Sequence, residues 1–96
     1  MSTKEAYKQK IEAELELAQA KLAELKAQAK SSTADARVEY AKQLDHLEQG
    51  VEATKAKLKE LGEAGEDAWE HLKDGVESAW GTLSAAVRDT AAKFKD

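Results

Sequence analysis

The segment from Tyr40 to Leu61 constrains the fold most strongly, because apolar residues recur along it at alternating intervals of four and three. Apart from Thr54, which occupies one position, the series consists of Tyr40, Leu44, Leu47, Val51, Leu58 and Leu61. A heptad repeat of this kind forms a continuous stripe on a helix and drives its packing against another helix. The chain also lacks proline and is 35% charged, as is typical of long helices and coiled coils. We therefore predict an all-α protein.

The N-terminal third of the chain carries a second stripe. Its apolar residues are three or four apart, which is the spacing of one helix face. They are Tyr7, Ile11, Leu15, Ala18, Leu22, Leu25 and Ala29. Charged residues between them stand at helix-pair spacings and predict a solvated face. These are Glu12, Glu14, Glu16 and Glu24, with Lys8, Lys10 and Lys21.

A glycine pair interrupts the helical pattern at residues 62–65, where Gly62 and Gly65 enclose two residues. One glycine suits a helix C-cap in the left-handed region, and Glu66 and Asp67 suit the first turn of a following helix. We predict a helix end at about residue 61, a turn over 62–65 and a second helix over about 66–95.

The last third repeats every eleven residues, since EDAWEHLKDGV at 66–76 is followed by ESAWGTLSAAV at 77–87. An eleven-residue repeat corresponds to about 3.67 residues per turn, so its apolar positions form a nearly straight stripe. The predicted stripe consists of Trp69, Leu72, Val76, Trp80, Leu83, Val87, Ala91 and Phe94. We expect this stripe to pack on the heptad face that runs from Tyr40 to Leu61.

The stretch from 30 to 37 decides the architecture. It has neither glycine nor proline, and the stripe stays in phase through Thr33 and Ala36, so we favour one helix over about 3–61 in an antiparallel helical hairpin. The alternative is a three-helix bundle with a turn near 31–35, because Ser32 and Asp35 resemble a weak capping box. The two architectures predict different oligomeric states.

A helix over 3–61 would be about 90 Å long, whereas one over 66–95 would reach only about 45 Å. The stripe from Tyr7 to Ala29 would then lack an intramolecular partner, and an exposed apolar stripe marks an interaction surface. We expect a homo-oligomer, most simply a two-fold dimer of N-terminal arms. In the three-helix alternative the stripe packs on the other helices of the same chain.

Length and composition argue against catalysis. A chain of 96 residues buries too little surface to enclose a large active site, so we expect neither an enzyme nor a cofactor.

The chain has no cysteine, and its histidines, His46 and His71, have no convergent ligands that spacing can place. We assign both to the surface rather than to a metal site. The net charge is −4 without a basic cluster, which argues against nucleic acid.

The length of 96 residues predicts a single domain over 1–96. The N-terminus has no apolar segment, so we expect a cytoplasmic protein. Tryptophan and phenylalanine on one helix face also occur in lipid-associated helices, which makes a membrane surface an alternative partner. Seven acidic and four basic residues over 66–96 disfavour it, since such helices usually present Lys and Arg to anionic headgroups.

The segment ADARVEYAKQLDHLEQGVEATKAKLKELGEAGEDAWEHLKDGVESAWGTLSAAV, and most specifically its EDAWEHLKDGVESAW portion at 66–80, resembles a group of small bacterial coiled-coil proteins often labelled stress-response proteins. The resemblance implies a soluble helical protein with no catalytic residues to carry over. The repeat is also similar to late-embryogenesis-abundant and apolipoprotein-like sequences. We expect a self-associating helical scaffold with a role in stress, and the alternative is a peripheral lipid-binding protein.

Overall fold

The structure, a computed structural model, describes residues 3–94, and all of the regular secondary structure in that range is helical. Helix α1 spans Thr3–Lys30, α2 spans Ala34–Glu63 and α3 spans Trp69–Phe94, with no strand among the described residues. Each helix packs on the other two, and the longest dimension is 51 Å. The all-α prediction is confirmed, and the packing is that of a helical bundle.

The boundary between α1 and α2 corrects the prediction of one helix over 3–61, because residues 31–33 are not helical. The hydroxyls of Ser31 and Ser32 donate to carbonyls of the last α1 turn at 2.9 and 2.6 Å. Thr33 is the N-cap of α2, and its side chain accepts from the Ala36 N–H at 3.3 Å. Hydroxyl groups thus bond to backbone groups at both helix ends, without glycine or proline. Ser32 closes α1 rather than starting α2 as predicted.

The connection between α2 and α3 is also shifted from its predicted position. Helix α2 continues past Leu61, and Ala64 caps it in extended conformation with its N–H donating to the Leu61 carbonyl at 3.2 Å. No described glycine has a positive φ, so the predicted left-handed glycine C-cap is wrong. Residues 66–68 form a turn, and α3 begins at Trp69 instead of 66. The predicted end at 95 lies outside the described residues.

A lysine from α1 completes the end of α2. The last turn of α2 has no basic residue, but the Lys4 ammonium donates to the Gly62 and Ala64 carbonyls at 3.2 and 2.9 Å. These carbonyls have no partner within the helix, and the helix dipole places partial negative charge on them. Lys4 therefore joins the start of α1 to the end of α2.

The two predicted stripes of α1 and α2 face a shared core. In α1 the buried residues are Tyr7, Ile11, Leu15, Ala18, Leu22, Leu25 and Ala29. In α2 they are Leu44, Leu47, Val51, Thr54, Leu58 and Leu61, and Tyr40 packs at the edge, half-buried. Because α1 buries its stripe within the chain, the predicted exposure of that stripe is wrong, and it no longer argues for a dimer of N-terminal arms.

Helix α3 faces the core with a seven-residue spacing instead of the predicted eleven. Its buried residues are Trp69, Val76, Leu83 and Thr90. The half-buried members of the predicted stripe are Leu72, Trp80, Val87, Ala91 and Phe94. Packing against heptad partners selects positions near 3.5 residues per turn, which displaces Trp80 toward solvent. Thr90 was not predicted, because the eleven-residue stripe passes through Val87 and Ala91 and leaves it out.

Candidate interaction surface

The two tryptophans occupy different environments. Trp69 is 5% exposed and its ring centroid lies 6.0 Å from that of Tyr7, with the rings tilted by 36°. The Tyr7 hydroxyl donates to the Glu77 carboxylate at 2.7 Å, and the Lys73 ammonium lies 5.0 Å from the centre of the Tyr7 ring. Aromatic packing, a hydrogen bond and a cation–π contact thus join α1 to α3 at one end of the bundle.

The Tyr7 hydroxyl is held in its neutral form. Burial raises the pKa of Tyr7 well above its usual range, and the hydrogen bond and negative charge of Glu77 raise it further, with smaller effects from Glu14 and Asp74. A phenol with a raised pKa is a poor base and a poor nucleophile near neutral pH. We therefore assign Tyr7 a structural role in fixing α1 against α3.

A second aromatic pair lies at the opposite end of the bundle, where the Tyr40 and Phe94 ring centroids are 4.0 Å apart. Tyr40 belongs to α2 and Phe94 to the last turn of α3. Centroids this close correspond to direct ring contact. Both residues were predicted to pack, and here they pack on each other.

An apolar groove runs between α1 and α3 at mid-height. This α1–α3 groove has a volume of about 270 Å³ and is lined by Glu14, Leu17, Ala18, Lys21, Trp80, Ser84 and Val87. Leu17 is 73% exposed, and Trp80 and Val87 are half-buried. An exposed leucine beside an indole can accept an apolar side chain from another surface.

The α1–α3 groove contains a residue that the sequence prediction missed. Leu17 lies next to the α1 stripe and out of phase with it, so the periodicity assigns it to the solvated face. Its residue type, and not its spacing, could have identified it, because a leucine among the charged residues of that face is unusual. Val38, near the start of α2 and 62% exposed, was missed for the same reason.

The histidines do not form a metal site in the described part of the chain. Within residues 3–94 no group of three or more His, Asp or Glu side chains could hold a metal ion. His46 lines a shallow groove of about 350 Å³ between α2 and α3, among small residues such as Gly50 and Ala79. His71 is exposed.

Comparisons with protein-family models, with curated proteins and with solved structures gave no match for this chain. None of the described helices is long and apolar enough to cross a bilayer.

Proposed function

We propose that this protein is a non-enzymatic helical interaction protein, built as a three-helix bundle, that self-associates through side chains on its surface. The observation that carries the proposal is the α1–α3 groove, where Leu17 is 73% exposed beside a half-buried Trp80. A chain of this size gains stability by burying large apolar side chains. Leaving a leucine and part of an indole together at the surface favours a binding role.

Contacts that cross all three helices support the three-helix form over a hairpin with a long first helix. Lys4 of α1 bonds to the end of α2, Tyr7 of α1 bonds to Glu77 of α3, and Lys26 of α1 forms an ion pair with Glu48 of α2. If residues 31–33 were helical, α1 would extend away from the rest of the chain as part of one long helix. Each of these contacts would then be lost. It would also expose the α1 stripe.

The test is the mass of the full 96-residue chain as a function of concentration, measured by sedimentation equilibrium from low micromolar to millimolar. The proposal expects a single chain of 10.5 kDa when dilute and a rising mass as concentration increases. A constant mass of one chain up to millimolar concentration would contradict self-association. A role in stress stays a prediction from the sequence resemblance.

Peripheral lipid binding is the second candidate, and one observation favours it. Helix α3 carries both tryptophans and the only phenylalanine, and it joins α2 through residues 64–68, which include Gly65 in open surroundings. Release of α3 would expose an amphipathic helix with a large apolar face. The interaction proposal expects unchanged tryptophan emission when vesicles with an anionic lipid fraction are added. A strong blue shift only with vesicles would favour lipid binding instead.

A further inference from the structure

The charges on the outer side of α1, two of which line the α1–α3 groove, follow a pattern. Lys10, Glu14, Leu17, Lys21 and Glu24 are spaced by four, three, four and three residues. This places them on one face of the helix, next to the buried stripe. All five are exposed or partly exposed. We call this set the α1 outer stripe.

Read along the chain, the α1 outer stripe is positive, negative, apolar, positive and negative. Read in reverse, every sign is inverted and the leucine stays at the centre. Two copies that meet antiparallel at Leu17 would place Lys10 opposite Glu24 and Glu14 opposite Lys21. Two copies in parallel would place each charge opposite its own kind, which costs interaction energy.

We propose that the occupant of the α1–α3 groove is a second copy of this chain, docked antiparallel about a two-fold axis that passes through the Leu17 level of α1. A two-fold interface uses the same patch on both copies, so the patch must complement itself. The α1 outer stripe meets this condition by charge, with Leu17 against Leu17. This inference rests on the self-association proposed above and adds its geometry.

The α3 side of the groove fits the same axis. Helices α1 and α3 advance in the same direction, because Tyr7 contacts Trp69 near their starts and residues 14–21 of α1 line the groove together with residues 80–87 of α3 further along. Rotation about the axis therefore brings Trp80 of one copy toward Val87 of the other. Ser84, between them, is small enough to let the two α3 helices approach.

The expected interface is small. Residues 10–24 of α1 extend over about 21 Å, and the bundle is 19 Å wide. Such a patch falls below the ~800 Å² per partner that stable complexes bury, and interfaces of this size support weak, transient association. The dimer therefore forms with rising concentration. It weakens with salt, because its charge pairs lie near the surface.

The decisive experiment separates the charges into two chains. One variant carries Lys10→Glu and Lys21→Glu, which makes the charges of the stripe all acidic, and the other carries Glu14→Lys and Glu24→Lys, which makes them all basic. Each variant alone should lose self-association by at least about tenfold in Kd. An equimolar mixture should form a heterodimer in sedimentation equilibrium. Circular dichroism of each variant checks that the bundle has folded.

Two matched substitutions test the place of the axis. Leu17→Glu puts like charges together at the axis and should abolish the dimer, whereas Val38→Glu changes an exposed residue of α2 outside the groove and should leave it intact. Because the chain has no cysteine, Leu17→Cys should also give a disulfide-linked dimer on oxidation. Val38→Cys should give little.

The outcomes distinguish the two proposals. If the unmodified chain stays at the mass of one chain throughout, both self-association and this interface are wrong. If it dimerises but the charge variants dimerise equally well alone, or their mixture gives no heterodimer, only the antiparallel interface is wrong. If the charge variants are each monomeric and form a heterodimer when mixed, pairing through the charges of the α1 outer stripe is supported.

Discussion

Leu83 of α3 packs so closely on the α2 backbone at Gly50 that a Cβ added to Gly50 would lie 2.9 Å from the Leu83 Cδ1 atom. Leu83 is 2% exposed and, like Gly50, lines the groove between α2 and α3. Thr54, one turn later and fully buried, donates its hydroxyl to the Gly50 carbonyl at 2.9 Å. A glycine that costs its helix about 1 kcal/mol relative to alanine thus permits the close approach of α2 and α3.

Substitution of this glycine should be unfavourable although alanine is the better helix former. We expect Gly50→Ala to lower the free energy of unfolding by about 1 kcal/mol, because overpacking costs about 1–3 kcal/mol and offsets the gain in helix propensity. Gly81→Ala is the matched control, since nothing lies within 4 Å of an added Cβ there, and it should raise stability by about 0.5–1 kcal/mol.

Urea denaturation measures both changes. In a Leu83→Ala background the clash is removed, and Gly50→Ala should become stabilising, with a coupling energy of about 1–2 kcal/mol. Equal gains from alanine at positions 50 and 81 would show that Leu83 does not constrain Gly50.

Lys4 should contribute to stability through the α2 end that it caps. Lys4→Met keeps most of the aliphatic chain but removes two hydrogen bonds to carbonyls and a charge near the helix terminus. We expect a loss of about 1–2 kcal/mol in the free energy of unfolding, smaller at high salt. Lys42→Met, at an exposed position of α2, should change stability by less than about 0.5 kcal/mol. A loss of equal size for both variants would contradict the capping role.

The raised pKa of Tyr7 predicts a loss of stability in alkali. Above about pH 10 the phenol ionises in the unfolded chain, whereas the folded chain keeps it protonated because its pKa is higher. The stabilisation that protonated Tyr7 provides is therefore complete below the pKa of Tyr7 in the unfolded chain. It declines as the pH rises toward the pKa of Tyr7 in the folded chain. In a Tyr40→Phe variant, Tyr7 is the only tyrosine left, and its phenolate absorbance should appear later than in the urea-unfolded variant. Coincident titration curves would contradict this.

The two tryptophans should differ in their contributions to stability. A uniform eleven-residue stripe predicts that truncating either one costs about 3–5 kcal/mol. With Trp69 buried and Trp80 half-buried in the groove, we expect that cost for Trp69→Ala and only about 1–2 kcal/mol for Trp80→Ala. Acrylamide should quench Trp80 in a Trp69→Phe chain more than it quenches Trp69 in a Trp80→Phe chain. Equal quenching would indicate that both rings are packed alike.

The apolar periods of α1 and α2 predicted which residues face the core, because burial on one helix face leaves a strong signal at intervals of three and four. The break at 31–33 was predicted only in the three-helix alternative, since Ser31, Ser32 and Thr33 close the helices by hydrogen bonding and leave the apolar phase unchanged. The burial of every seventh residue in α3 was not predicted, because the sequence of this segment repeats every eleven residues. The α1–α3 groove depends on which helices become neighbours, and no single stripe contains that information.

We propose that one chain folds its three helices into one bundle. Small-angle X-ray scattering at a concentration where the mass is that of a single chain measures this directly. We predict a radius of gyration close to 15.4 Å, slightly enlarged by hydration. A helix over 3–61 about 90 Å long would give a value of roughly 26 Å along that helix alone, and a result near it would contradict the three-helix bundle.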